Sequence, residues 1–183
     1  MKGKLVVILI ALVVCLAGVA LVAVAVRPPM PDSVLAGCSE PLPVGVPDLR
    51  GYWRLAHSEN IRPFLVLGTG RSRWGALLVE VGMHINYVQR IEQCGLEVAV
   101  TDNRGRAWAI DVFRADGIAA EDGERGSALF FSTAFFDGAR LVSQGDRREG
   151  GLVVERELVD DELRITTRVA AAEVSPMRLF LRR

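Results

Sequence analysis

The stretch "LVVERELV" (152–159) sets Arg156 two residues from Val154 and two from Leu158, with Glu155 and Glu157 between them. In an extended chain alternate side chains share a face, so Arg156 falls on the apolar side and the two glutamates on the other. A guanidinium buried without an anion is costly. A bound carboxylate or phosphate is its natural bidentate partner. Asp111 or Glu97 could supply that charge from within the chain instead, or the side chain could extend to the mouth of the fold.

Other chemistry is sparse. There is no Ser-His-Asp elbow, Gly-rich phosphate loop or carboxylate pair, so the sequence reads as a binding protein rather than an enzyme. Asp160-Asp161 reads as a hairpin turn. His57 and His84 are the only histidines, and no CxxC or HxxxH spacing accompanies them, so neither a metal nor another cofactor is expected. Of the three cysteines, Cys15 lies in an apolar run, leaving Cys38 and Cys94 as a candidate disulfide. Trp74, Leu77 and Leu78 read as helix-to-core packing. Both lysines (Lys2 and Lys4) precede the apolar run, and the remainder is slightly acidic, so no basic field exists to hold nucleic acid.

That run, residues 5–26, carries no charge. It satisfies the roughly 20 residues that a membrane-spanning helix needs. Lys2 and Lys4 before it, with Arg27 alone close behind, predict a cytoplasmic N-terminus and an exported remainder. The competing reading is a cleaved signal, with Ala23-Val24-Ala25 as the processing site, although signal cores usually span about 7–15 apolar residues. Export places Cys38 and Cys94 where a disulfide persists. Residues 27–48 hold six prolines and read as a semi-rigid spacer, so the folded domain is 49–183.

Within that domain the chain reads as short strands with turn punctuation. Helix is expected at 61–67, with Asn60 as N-cap and Gly68 as C-cap, and at 71–81, where Trp74, Leu77, Leu78 and Val81 recur at helical spacing and Gly82 ends the run. Counting the first strand, about ten strands follow one another at the 8–12-residue spacing of an antiparallel barrel or sandwich. Asp-Gly and Gly-rich turns make them hairpins. Closing that up-and-down meander into a barrel removes its edges.

The stretch "GYWRLAHSENIRPFLVLG" (51–68) resembles the start of the cytosolic fatty-acid-binding proteins, within the calycin (lipocalin-like) superfamily. The resemblance rests on Gly-x-Trp, Ser-Glu-Asn, then an aromatic and Leu-Gly in the first helix, and extends over 49–183. It implies an all-β, ten-stranded antiparallel up-and-down barrel with two short capping helices between the first two strands. It also implies non-covalent binding of a hydrophobic anion, a fatty acid or related lipid. The family holds the ligand carboxylate with an arginine in the eighth strand and Arg-x-Tyr in the last, which map here onto Arg156, Arg178 and Phe180. Phe180 lacks the hydroxyl. Met177, Leu179 and Leu181 form the more apolar face of that strand, so alternation alone turns Arg178 outward and the family register turns it inward. Arg182 matches a late arginine that packs over the first-strand tryptophan. The alternative is a structural or protein-interaction barrel without ligand, or an enzyme-like calycin. Mass analysis of the membrane-extracted chain tests the anchor: residues 5–26 should still be present, whereas a start at Val26 identifies a cleaved signal.

Overall fold

The structure, a computed structural model, describes residues 29–68, 70–104, 107–118, 131–145, 151–170 and 173–183. The apolar run 5–26 lies outside these residues. Among them no helix is long and apolar enough to cross a membrane.

Nine strands form one antiparallel sheet. They are β1 (Gly51–Glu59), β2 (Val88–Cys94), β3 (Glu97–Arg104), β4 (Ala107–Arg114), β5 (Phe131–Asp137), β6 (Arg140–Gly145), β7 (Leu152–Val159), β8 (Glu162–Val169) and β9 (Met177–Arg182). Their order is β4-β3-β2-β1-β9-β8-β7-β6-β5, so first and last strands pair at the centre and the sheet curls into a nearly closed barrel. Among the described residues its two ends, β4 and β5, approach through a bridge between Asp116 and Phe135 and the Gly117 N–H donating to the Ala134 carbonyl (2.8 Å). The expected count of ten becomes nine among the described residues, and most of the missing strand, "IAAE" at 118–121, lies outside them. The Asp160-Asp161 turn joins β7 to β8 with both residues at positive φ (50° and 66°), as a two-residue hairpin with right-handed strand twist requires.

Two helices cover one end. Ile61–Pro63 forms a short turn, α1, which runs into a π-helical turn at Phe64–Gly68, and α2 spans Arg73–Asn86. Ile61 and Phe64 are buried and fasten α1 to the core. Asn60 does not cap α1 with its side chain. It sits in the left-handed region (φ 58°), and its amide donates to the Pro176 carbonyl (3.3 Å), tying the helices to the β8–β9 connection. Ser72 caps α2 by accepting from the Gly75 N–H (3.1 Å).

Gly82 does not stop α2, since one interior glycine costs a helix only about 1 kcal/mol. The helix runs on through His84 and ends where Tyr87 turns extended, so β2 starts at Val88. Asn103 of β3 holds that junction. Its amide donates to the Asn86 carbonyl, and its carbonyl oxygen accepts from the Val88 N–H (2.8 Å). The stripe Trp74, Leu78 and Val81 does not pack on the barrel. Met83 does, while Ala76 is buried, Leu77 is half-buried in the groove between the helices, and the stripe faces away, with Trp74 77% and Leu78 71% exposed.

At the other end Leu49 is buried, its N–H donating to Gln93 Oε1 (2.6 Å) while the Trp53 indole donates to the Leu49 carbonyl (3.0 Å). The proline-rich segment lies along the outer side of β2 and is tied to it. The Arg90 guanidinium donates to the carbonyls of Pro31 (2.9 Å) and Asp32 (2.8 Å), and the Gly95 N–H to that of Glu40 (3.3 Å). Cys38 and Cys94 are joined as a disulfide, Cα atoms 6.1 Å apart. This cover explains why Arg90 and Cys94 are buried although both point outward. The disulfide closes a loop across a separation of 56 residues. Removing it by Cys38→Ser should therefore cost about 4 kcal/mol by loop-closure entropy. Equilibrium urea unfolding of the full chain measures that loss, and an unchanged midpoint would count against it.

Candidate functional site

β7 places Arg156 opposite Leu141 of β6 and Ile165 of β8, both core residues, so its side chain points into the barrel. Glu155 and Glu157 point outward, where they pair with Arg168 (3.0 Å) and Arg164 (2.6 Å) of β8. The interior arginine is only 2% exposed. Its Nε donates to Gln89 Oε1 of β2 and its NH1 to Ser143 Oγ of β6, both at 3.4 Å. These lengths sit beyond the usual 2.7–3.2 Å range of N–H···O bonds. From Gln89 the chain of contacts continues: its amide donates to the Tyr87 hydroxyl (3.2 Å), which donates to Asp102 Oδ2 (3.5 Å).

The register fixes which acids share this interior. Gln89 pairs with Asp102, and Val100 with Asp111, while Ile91, Val98, Val100 and Phe113 belong to the core. Asp102 and Asp111 therefore face inward, and both are buried. Glu97 lies on the opposite face and is exposed, which removes it as an internal partner for Arg156. The polar interior thus gathers Gln89, Asp102, Asp111, Ser143 and Arg156 from five strands. Burial at this level requires hydrogen-bond or charge partners for each group.

The last strand departs from the family expectation. Leu181 pairs with Leu55 and Leu163, and Leu179 with Ile165, all inward. Arg178 and Phe180 therefore point out of the barrel and are not part of the interior site. Arg178 pairs with Glu59 (3.0 Å), and Phe180 stacks on His57 with ring centroids 4.1 Å apart. Strand alternation decides this, since a one-residue offset exchanges the two faces. The same offset appears at the tryptophan. Arg183, not Arg182, lies 4.8 Å over the Trp53 ring, and Arg182 pairs with Glu162 (2.6 Å). Aligned on Arg183, the family's last-strand clamp falls on Leu179 and Leu181, which offer no hydrogen bond.

Gln89, Tyr87, Asp102 and Ser143 escaped sequence reasoning. Around them "YVQRIEQC" has polar residues on both faces, so alternation gave no inside and outside. Ser58 Oγ meets His84 Nε2 at 2.9 Å at the exposed junction of β1 and α2. Among the described residues no cluster of His, Cys, Asp or Glu could hold a metal ion. The Asp48 pKa is lowered by its hydrogen bond from Arg50, and that of Asp116 by the Ile118 N–H. A separate groove of about 540 Å³ lies between the two helices, lined by Pro63, Val66, Leu67, Trp74 and Leu77 with Arg62 and Arg73.

No protein-family profile and no curated protein matches the chain. Solved structures do match its fold. Zebrafish ileal bile acid-binding protein in complex with cholic acid aligns with a TM-score of 0.58 at 17% identity, covering 73% of this chain and 97% of that one. Lipid binding protein 8 of Caenorhabditis elegans aligns at 0.53 and 17%, covering 73% and 94%. The fatty-acid-binding protein isolated from Manduca sexta aligns at 0.52 and 20%, covering 74% and 98%. The described barrel thus has the fold of the fatty-acid-binding proteins.

The two arginines should separate in a stability measurement. Arg156→Ala takes the arginine donor from the buried Gln89 Oε1 and Ser143 Oγ and should cost about 3 kcal/mol. Arg178→Ala removes only a half-exposed ion pair and should cost less than about 1 kcal/mol. Chemical denaturation of both variants checks the order; equal losses would contradict the inward–outward assignment.

Proposed function

We propose that the barrel binds one hydrophobic molecule, a fatty acid or related lipid, non-covalently in its interior, and that residues 5–26 hold it at the outer side of a membrane. One observation carries the binding reading: a buried arginine with amide and hydroxyl partners stands inside an apolar wall whose fold matches lipid and bile acid binders. Apolar burial would supply most of the affinity, at about 25 cal/mol per Å². Arg156, with Gln89 and Ser143, would take the polar end. Because β9 offers Met177, Leu179 and Leu181 to the interior, the head group would be held from β2, β6 and β7 alone. The function is carriage rather than catalysis. An anchor raises the local concentration of the binding domain near its lipid source, and an extracytoplasmic setting suits the Cys38–Cys94 disulfide.

The close packing of Arg156 favours one rival, a barrel filled by its own side chains. Titration of the full chain with a fluorescent fatty acid separates the two readings. Saturable binding is expected, weakened by Arg156→Met by about 1.5–3 kcal/mol, the worth of a hydrogen bond to a charged group. Arg178→Ala should leave it unchanged. If the parent binds no lipid, the carrier reading falls and the self-filled barrel stands.

A further inference from the structure

We infer that α2 pairs with the α2 of a second copy of this chain, the two helices running antiparallel along the stripe that the barrel leaves uncovered. The stripe consists of Trp74, Leu78, Val81 and Ile85, all exposed. Their spacing of four, three and four residues is that of a coiled-coil seam, where each side chain drops between residues of a facing helix. At 3.6 residues per turn the four fall within about 60° of one another, and Met83, packed against the core, lies on the far side. α2 therefore carries two apolar faces. One meets the barrel, and the other is narrow enough for a single helix.

Gly82 calls for the same neighbour. A glycine inside a helix weakens it, and nothing lies within 4 Å of the place where a Cβ would stand at Gly82. No contact among the described residues therefore requires a glycine there. Gly82 borders the stripe, as does Gly75 one heptad earlier, where a Cβ would crowd the Ser72 cap (3.1 Å). With Trp74 set against Ile85 and Leu78 against Val81 of a reversed copy, these flanks meet. Gly75 of one copy then lies beside Gly82 of the other, and the backbones can approach closely.

Symmetry and charge select a second copy as the occupant. A 4-3-4 spacing reads the same in both directions, so a reversed copy meets every layer of the seam, as a two-fold interface demands. α2 also begins at Arg73, just after Arg71, with no acid in its first turn, although a helix N-terminus carries partial positive charge. An antiparallel copy brings its carbonyl end, of opposite partial charge, beside those arginines. A parallel copy would set Arg73 against Arg73. The helix is 14 residues long, about 21 Å, and presents less than the roughly 800 Å² per partner of a stable interface. The pair is accordingly weak, and covalent capture is the way to read it.

The test uses the full chain in detergent with Cys15→Ser, which leaves any introduced cysteine as the free thiol because Cys38 and Cys94 are bonded. Chains carrying Trp74→Cys and chains carrying Ile85→Cys, differently tagged, are oxidised separately and as a mixture. The mixture should give the mixed disulfide at least fivefold more abundantly than either variant gives its own dimer. In the antiparallel pair the two Trp74 positions stand about 16 Å apart along the axis, beyond the roughly 7 Å that a disulfide tolerates. Gly82→Leu, which fills open space and favours helix, should lower the mixed product at least fivefold while the melting temperature of the chain does not fall. No mixed disulfide overturns the pairing. Self-dimers as abundant as the mixed product overturn the antiparallel register, and a mixed product that survives Gly82→Leu overturns the close approach.

Discussion

The hydrogen bonds between β1 and β9 join the two halves of the sheet, and the interior exists only because they do. On one side lie β2 to β4, on the other β5 to β8, and among the described residues the backbones of the two sheet ends meet at the Asp116–Phe135 bridge and the Gly117–Ala134 hydrogen bond. Gln89 belongs to the first half, Ser143 and Arg156 to the second. Their contacts are therefore made across a closure that depends on one strand pair. The register of that pair, with its irregularity between Leu55 and His57, also decides what each side chain of β9 does. It turns three apolar residues inward and puts Arg178 and Phe180 against Glu59 and His57.

Much of this architecture was legible from turn chemistry. Asp160-Asp161, Cys94-Gly95 and Asp137-Gly138 each mark a hairpin, and short-range geometry suffices there because two residues determine the turn. The inward face of Arg156 was legible too, since Val154 and Leu158 leave alternation unambiguous. Legibility failed where a residue's surroundings come from distant chain. Gln89 and Arg90 differ in role because the proline-rich segment covers one face of β2, and nothing within β2 announces that cover. The apolar stripe of α2 misled for a related reason. Hydrophobic periodicity reports that a face is apolar, not which apolar surroundings it meets. Asn60 looked like a cap because Asn serves both as N-cap and as a left-handed turn residue.

The interior is more mixed in charge than a simple carboxylate clamp. One arginine, two aspartates, Gln89 and Ser143 share an interior otherwise built of apolar side chains. Groups in such a setting interact strongly because little water screens them. The structural neighbours share the barrel fold at 17–20% identity. In this chain the last strand pairs with β1 and β8 and turns Leu179 and Leu181 inward.

The disulfide has a consequence for the order of assembly. It connects the proline-rich segment to β2, whereas Arg54 must wait for Arg182 before β1 and β9 can pair. In a chain delivered N-terminus first, oxidation can lock the proline-rich segment, β1, the helices and β2 into one unit while later strands are still arriving. Closure of the barrel is then a docking of the C-terminal hairpins onto a pre-formed edge. Such long-range pairing is slow. Until it is complete β1 presents an open strand edge, which is the period when the growing fold is most exposed to pairing with another chain.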